Sequence, residues 1–224
     1  MLYIVGTPIG NAKDISYRAV ASLFSSDLIL AEDTRSARVL LDKARELFDV
    51  PERFQPKIIS YNKVNEFEKI PQVLELLKQD KKISLISEAG MPTISDPGLS
   101  LIQTAIRETL PYTVIPGPSA VSTALVHSGF KARQWMFVGF LPKNTKQCTK
   151  FVKSLFDVEK AMKGVVFIAF ESPKRIKKTI GLLEKHFSIV VGRELTKLYE
   201  EIMREDFEFL KQKGEMTIVF KRKK

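Results

Sequence analysis

The chain has 224 residues and a mass of 25.4 kDa, which suits one large domain or two small ones. Its net charge of +10, from 36 basic against 26 acidic residues, favours a polyanionic partner. One cysteine and two histidines argue against a disulfide framework and a structural zinc site. No apolar run approaches the length of a membrane span, and the apolar run at the start is too short for a signal peptide. We therefore expect a cytoplasmic protein.

Short β-rich runs alternate with helical runs in the first half of the chain. Strands are predicted at residues 2–5, 28–31, 57–60, 83–86 and 112–115, and helices at 16–24, 36–48, 66–79 and 98–109. This alternation indicates βαβ units and a mainly parallel sheet. The Asp96-Pro97 pair marks the start of the fourth helix, with Asp96 as its N-cap.

The strongest break in the chain is Pro116-Gly117-Pro118, because two prolines around a glycine stop a strand and fix the chain direction. It predicts an N-terminal α/β domain over residues 1–115 and a C-terminal α/β domain over 116–224. In the second domain, strands are predicted at 135–140, 165–170, 189–192 and 216–221, and helices at 119–128, 146–159 and 175–186. Strands grouped with fewer helices favour a mixed sheet.

Several common catalytic and nucleotide-binding motifs are absent. No Walker loop exists, the loop after the first strand lacks the dinucleotide spacing, and Gly117-Pro118-Ser119-Ala120-Val121 lacks the last glycine of a nucleophile elbow. Neither histidine lies in an obvious catalytic string. His127 is predicted near a helix end, and His186 is predicted to end an amphipathic helix.

Four loops follow predicted strands, and ligands of open α/β sheets bind outside the carboxyl ends of the strands. In the loop 6–11, glycines would let the backbone approach a ligand, or would only make a tight turn. The loop 31–35 places three ionisable side chains together, although Asp33 or Thr34 also suits a helix N-cap. The loops 87–98 and 116–120 are stiffened by prolines, which suits a ligand site, a rigid surface loop or an interdomain turn.

Two charged strings follow predicted strands of the second half, at residues 170–175 (FESPKR) and 193–197 (RELTK). Taken alone, each string is more typical of a solvated charge cluster at a strand end.

Seven strings in fixed order resemble the tetrapyrrole methylase superfamily of S-adenosylmethionine-dependent methyltransferases. Within it they are similar to the branch that methylates the ribose 2′-hydroxyl of a cytidine in bacterial small-subunit ribosomal RNA. The strings are GTPIGN at 6–11, AEDTR at 31–35, EAGMPTISDPG at 88–98, IPGPSA at 115–120, GFLP at 139–142, ESPKR at 171–175 and RELTK at 193–197. The chain departs from the family pattern in lacking two histidines before Asn65-Glu66, and in having Glu88, Met91 and Lys174.

The resemblance implies two α/β domains with a cleft between them, a homodimer, and S-adenosylmethionine bound folded in the cleft. The small ribosomal subunit and its RNA would be the partner, with no membrane involved. The residues implied for holding the cofactor are Pro8, Gly90, Met91, Pro92, Ile94, Ser119 and Ala120, with Phe170 and Leu195 as further adenine-side candidates.

Methyl transfer from a sulfonium is a displacement at carbon, so it requires alignment and no metal. The ribose hydroxyl is a poor nucleophile, and a base that eases proton loss would help. The candidate catalytic residues are Glu32, Asp33, Arg35, Asn65, Glu66 and Lys197. We expect the carboxylates to handle the proton, and Arg35 and Lys197 to place phosphates. The lysines at 143, 146, 150 and 153 either extend the RNA surface or form a solubilising helix face.

Two other functions stay open from the sequence. One is methylation of a corrin or porphyrin precursor by the same fold, and the other is a donor-binding paralogue without turnover. GFLP, ESPKR, RELTK and the charge of +10 favour the RNA branch, whereas the two missing histidines are the only support for the paralogue.

Overall fold

The structure, a computed structural model, describes residues 1–223 and divides the chain into two units, Met1–Ser119 and Ala120–Lys224. The division therefore follows Ser119, whereas the predicted boundary follows residue 115. Lys224, the last residue of the predicted second domain, lies outside the described residues. Within residues 1–223, no helix has both the length and the apolar character that crossing a membrane requires.

The first unit contains one five-stranded parallel sheet. Its strands are β1 (Leu2–Val5), β2 (Leu28–Ala31), β3 (Lys57–Ser60), β4 (Ile83–Ile86) and β5 (Tyr112–Ile115), in the spatial order β3-β2-β4-β1-β5. Its helices are α1 (Tyr17–Phe24), α2 (Thr34–Phe48), α3 (Glu66–Lys78) and α4 (Leu99–Arg107), with a short 3-10 helix at Ala12–Asp14. All neighbouring strands pair in parallel, which confirms the predicted sheet.

The core of the first unit has two layers because both faces of the sheet are covered. One apolar cluster joins the sheet to α1 and α2, and the other joins it to α3 and α4. Alternate residues of β2 serve the two clusters, with Ile29 in the first and Leu30 in the second. Every residue of β2 and β4 is buried, as expected for central parallel strands.

The second unit contains a mixed five-stranded sheet. Its strands are β6 (Trp135–Phe140), β7 (Val166–Glu171), β8 (Phe187–Arg193), β9 (Glu201–Met203) and β10 (Met216–Arg222), in the order β6-β7-β10-β8-β9. Its helices are α5 (Ala120–Ser128), α6 (Thr145–Ala161) and α7 (Ile176–Leu183), with a 3-10 helix at Phe207–Phe209. Only the β6–β7 pair is parallel among these strands, so the predicted mixed sheet is confirmed.

The five strands of the first sheet have their predicted bounds, whereas helix ends differ. Helix α7 ends at Leu183, so the prediction that His186 ends this helix is wrong. His186 instead immediately precedes β8, and its ring lies edge-on to Phe156, 5.1 Å between centroids.

Candidate functional site

Three loops meet at the carboxyl edge of the parallel sheet. They follow β1, β4 and β5, and a parallel sheet brings the carboxyl ends of its strands to one edge. Gly6 N–H donates to the Ile115 carbonyl at 2.9 Å, and Thr7 N–H donates to the Gly90 carbonyl at 2.9 Å. Gly90 N–H returns a hydrogen bond to the Thr7 carbonyl at 3.2 Å. The loops predicted for a ligand are therefore tied directly to one another.

The glycines of these loops serve loop–loop contact. A Cβ added to Gly6 would lie 2.7 Å from the Gly117 nitrogen, and one added to Gly117 would lie 2.7 Å from the Gly6 carbonyl carbon. A Cβ on Gly90 would lie 3.3 Å from Ile9 Cγ2 and 3.5 Å from the Pro118 carbonyl oxygen. The sequence left open whether glycine here lets backbone approach a ligand or makes a tight turn; in the structure, it lets the backbones of neighbouring loops approach one another.

The loop after β4 holds several residues in the left-handed region. Gly90 has φ +80° and Gly98 has φ +117°, and two residues with side chains, Thr93 at +71° and Ser95 at +74°, adopt the same region. A β-branched residue with positive φ is a strained exception, and such strain concentrates at ligand and active sites. The predicted cofactor residues around it are Pro8 and Pro92, which are buried, Met91, which is half-buried, and Ile94, which is exposed.

Asp96 lies in an acidic group at this edge, and its predicted role as the N-cap of α4 is wrong. The capping position is Gly98, whose N–H donates to Glu66 Oε2 at 3.1 Å. Burial, reinforced by the charge of Glu32, raises the pKa of Asp96 to about 6. The Ser87 hydroxyl and the charge of Lys63 oppose this rise in the Asp96 pKa. Asp96, which the sequence predicted only as a helix cap, thus becomes one of the carboxyl groups of the candidate site.

Besides Glu66, three more of the predicted catalytic residues in this unit have structural partners. Asp33 caps α2 by accepting from the Arg35 and Ser36 N–H groups, and its carboxylate also pairs with the Arg35 guanidinium at 3.1 Å. That side-chain hydrogen bond and the two N–H groups lower the pKa of Asp33. Asn65 precedes α3; its side-chain oxygen accepts a hydrogen bond from the Asn62 N–H, and its side-chain nitrogen donates one to the Ser60 carbonyl. The Arg35 side chain is nevertheless 90% exposed, so its charge remains open to solvent.

Tyr61 is a buried polar residue that the sequence analysis did not single out. It follows β3, its N–H donates to the Ala31 carbonyl at 2.8 Å, and it is fully buried. Its hydroxyl has no hydrogen-bond partner among residues 1–223. Burial, with the nearby charge of Glu66, raises the Tyr61 pKa far above its ordinary value, so the hydroxyl stays protonated.

In the second unit, the ESPKR string forms a buried ion pair rather than the solvated cluster that is typical of such a string. Glu171 is only 3% exposed, and its carboxylate accepts from Ser172 N–H, the Thr179 hydroxyl and the Arg175 guanidinium. Arg175 also donates to the Leu141 carbonyl at 3.2 Å. This pair connects the end of β7 to the GFLP string.

The RELTK string is also held by ion pairs, one of which involves the buried Arg193, so this string too is not the solvated charge cluster that is typical of such a sequence. Arg193 is 7% exposed and donates to Glu201 at 2.7 Å, in the strand β9 that the sequence analysis missed. Lys197 lies 3.1 Å from a Glu194 oxygen and 3.0 Å from a Glu215 oxygen. Burial alone would lower the Lys197 pKa, but these two carboxylates raise it above its ordinary value.

The remaining predicted cofactor residues have these places. Ser119 is the last residue of the first unit, and Ala120 is the first residue of α5. Phe170 is half-buried near the end of β7, and Leu195 is buried beneath Gly192, where an added Cβ would lie 2.9 Å from Leu195 Cδ2. Among residues 1–223, no three histidine, cysteine, aspartate or glutamate side chains are grouped so that they could hold a metal ion.

Comparison with known proteins gives a consistent family match. A family model described as Tetrapyrrole (Corrin/Porphyrin) Methylases matches residues 1–210. Two curated relatives carry the name Ribosomal RNA small subunit methyltransferase I. One, from Thermotoga maritima, is 41% identical over 97% of this chain and 96% of its own, and the other, from a Hydrogenobaculum species, is 37% identical over 97% and 94%.

Solved structures share the fold at low sequence identity. A cobalt precorrin-4 methyltransferase of cobalamin biosynthesis matches with a TM-score of 0.68 at 16% identity, covering 97% of this chain and 93% of the other. A diphthine synthase matches with a TM-score of 0.67 at 13% identity, covering 97% and 88%. At these identities the likeness shows the two-unit α/β fold, which confirms the predicted fold class.

Proposed function

Since the chain belongs to the tetrapyrrole methylase family, we propose that it is an S-adenosylmethionine-dependent methyltransferase acting on small-subunit ribosomal RNA, at the 2′-hydroxyl of a cytidine ribose. The observation that carries the proposal is the similarity along nearly the whole chain to relatives named for methylating this RNA. The GFLP, ESPKR and RELTK strings support the ribose branch, and the net charge of +10 suits an RNA partner.

The residues at the carboxyl edge of the first sheet suit S-adenosylmethionine. Met91 is half-buried and Ile94 is exposed, so both leave apolar surface for the cofactor next to the buried Pro8 and Pro92. The cofactor's sulfonium is a cation that the nearby carboxylates of Glu32 and Asp96 would attract. When bound, the cofactor supplies an activated methyl group. Gly90, Met91, Ile94 and Ser119 complete the set that we propose for this unit, while Ala120, Phe170 and Leu195 keep the role that the resemblance implies.

Different side chains of this protein suit proton acceptance and phosphate binding. We assign proton acceptance to the Glu32 and Asp96 pair, because a carboxyl group with a pKa near 6 accepts a proton more readily than an ordinary carboxylate does. Arg35 suits a phosphate, since its guanidinium is exposed. Lys197 is already paired with two carboxylates, so its main role would be to hold the RELTK loop.

The function is tested by methyl transfer to small ribosomal subunits purified from a strain that lacks the gene, with isotopically labelled S-adenosylmethionine. We expect label on a single cytidine ribose. Label on a base would contradict the 2′-hydroxyl assignment, and label only on a corrin precursor would favour a small-molecule enzyme. Donor binding without transfer to either substrate would favour a paralogue without turnover. Sedimentation of the same preparation tests the homodimer included in the proposal, which exposed apolar residues such as Leu198 and Val126 would suit.

The donor site is tested separately with a matched pair of glycine variants. Gly90 and Gly164 have nearly the same φ, +80° and +81°, but only Gly90 lies in the proposed site. Leucine at either position meets the same strain in φ, and at position 90 its Cβ also lies 3.3 Å from Ile9 Cγ2. We expect calorimetric titration to show at least tenfold weaker donor binding in Gly90→Leu and little change in Gly164→Leu, about 1.4 kcal/mol apart. Equal losses in both variants would contradict the site.

A further inference from the structure

An aromatic side chain is exposed at the end of an edge strand in the second unit. Phe140 closes β6, the outermost strand beside β7, and it is 57% exposed although the next residue, Leu141, is buried. Burying an aromatic ring contributes to stability, and Phe140 forgoes much of that contribution.

A β-bulge turns Phe140 away from the core. Phe137 pairs with Ile168 and Phe140 pairs with Phe170, so β6 has one more residue than β7 between these pairs. Gly139, with φ +69°, supplies the conformation that this extra residue needs. Met136 and Val138 pack on the core, and regular alternation would have placed Phe140 with them. The extra residue places Phe140 with Phe137 instead.

The exposed ring is held in place. Its centroid lies 5.5 Å from that of Phe170 in an edge-to-face contact, and Phe170 makes a similar contact with Phe137 at 4.8 Å. Leu141 N–H donates to the Phe170 carbonyl at 3.4 Å, and Arg175 donates to the Leu141 carbonyl. A ring ordered before binding loses little conformational entropy when a ligand stacks on it.

Unpaired positive charge follows directly in the chain. Lys143, Lys146, Lys150 and Lys153 are all exposed, and the last three repeat along one face of α6. Within residues 1–223, none of the four forms an ion pair with a carboxylate, whereas Lys160 on the same helix pairs with Asp157. Four such charges suit a phosphate backbone, and they oppose docking of a second basic chain on this particular surface.

We propose that Phe140 is a stacking site for one unpaired base of the RNA, with the four α6-side lysines holding the adjoining phosphates. The inference rests on the proposed function and goes beyond it by naming where a single-stranded part of the substrate binds. Protein recognition of single-stranded RNA combines aromatic stacking with a basic groove in this way.

The test measures binding of a fluorescein-labelled oligocytidylate of about 12 nucleotides by anisotropy at several salt concentrations. We expect Phe140→Leu to weaken binding about tenfold at every salt concentration, because stacking is lost while the charges remain. Phe140→Tyr should bind within about twofold of the wild type, since a ring is kept. Lys146→Ala should instead reduce the salt dependence by about one unit of slope. Phe209→Leu is the matched control, since Phe209 is 73% exposed in the same unit.

The outcomes separate this inference from the function on which it rests. If the wild type methylates ribosomal subunits and binds the oligonucleotide, but Phe140→Leu binds equally well, the stacking site is wrong and the methyltransferase proposal stands. An equal loss in Phe209→Leu would also overturn the site. If Phe140→Leu changes the sedimentation coefficient, the face belongs to an interface between copies, and the inference is again wrong. A wild type that neither binds RNA nor methylates subunits would overturn both.

Discussion

Replacing Asp96 by asparagine tests how the ionisation of one partly buried carboxyl group changes the free energy of unfolding with pH. Burial and the nearby charge of Glu32 raise its pKa to about 6, from an ordinary value of 3.8. Folding therefore favours the protonated form, and the folded protein binds more protons than the unfolded chain between these two values. The Asp96 contribution to stability is complete below about pH 4 and is lost as the pH rises through 6. Asparagine, similar in shape, cannot ionise and lacks this dependence.

The size of the effect follows from the difference between the two pKa values. About two pKa units correspond to about 3 kcal/mol at 1.36 kcal/mol per unit. Asp96 is only partly buried, so solvent screening reduces this, and we expect about 1 to 2 kcal/mol. Relative to the wild type, Asp96→Asn should therefore gain this much free energy of unfolding between pH 4 and pH 7. Any constant offset, such as a changed hydrogen bond to Ser87, does not alter the slope.

The assay is urea unfolding of both proteins at half-unit steps from pH 4 to pH 7.5. Asp27→Asn is the control of opposite sign, because the Asp27 carboxylate accepts the Lys82 N–H at 2.8 Å, and this bond lowers its pKa. The stability that Asp27 provides is present above pH 4 and lost only in stronger acid, so across the assay range its variant should stay less stable than the wild type by a nearly constant amount. A flat difference between Asp96→Asn and the wild type would refute the reasoning about Asp96.

Three further substitutions or treatments test single contacts. In urea unfolding, Gly117→Ala should lower the free energy of unfolding by about 1 to 3 kcal/mol, because its Cβ would clash with the Gly6 backbone. Gly181→Ala within α7 should raise it by about 0.5 to 1 kcal/mol, and a change of the same sign in both variants would contradict the close contact between Gly117 and Gly6. Cys148 is buried and burial raises its pKa, so iodoacetamide should label it only after unfolding, as mass spectrometry of native and urea-treated protein would show. Tyr61→Phe should raise the free energy of unfolding by about 1 kcal/mol, because its buried hydroxyl has no partner within residues 1–223, and a loss would contradict this.

The parallel sheet could be predicted because its information is local. Each strand is a short run rich in apolar and β-branched residues between turn residues, and the central strands are buried on both faces. Strand β9 could not be predicted, since Glu201-Ile202-Met203 is short and lies among charged residues. It pairs with β8, and its glutamate neutralises the buried Arg193, which are long-range contacts that no local pattern encodes.

The position of the candidate site could be predicted better than the roles of its residues. Loops that follow parallel strands lie at the same edge of the sheet, so identifying these loops in the sequence was enough to locate the candidate site. Residue roles depend on partners far along the chain. Asp96 was assigned to the start of α4 from its neighbour Pro97, but the N-cap is Gly98, whose N–H donates to the carboxylate of Glu66, 32 residues before Gly98 in the chain. The burial of Glu171 has the same kind of cause, a helix folding back over its own strand end.

The structural contacts of the predicted catalytic residues limit which carboxylate can accept a proton. A carboxylate that caps a helix or neutralises an arginine is stabilised in its charged form, which lowers its pKa and makes it a weaker base. Asp33 is in that position, since it caps α2 and pairs with Arg35. Asp96 is the opposite case, since burial and a like charge favour its protonated form. A group that gains from taking up a proton is the one suited to receive it from a ribose hydroxyl, which is why the proposed acceptor is the Glu32 and Asp96 pair rather than the carboxylates nearest to Arg35.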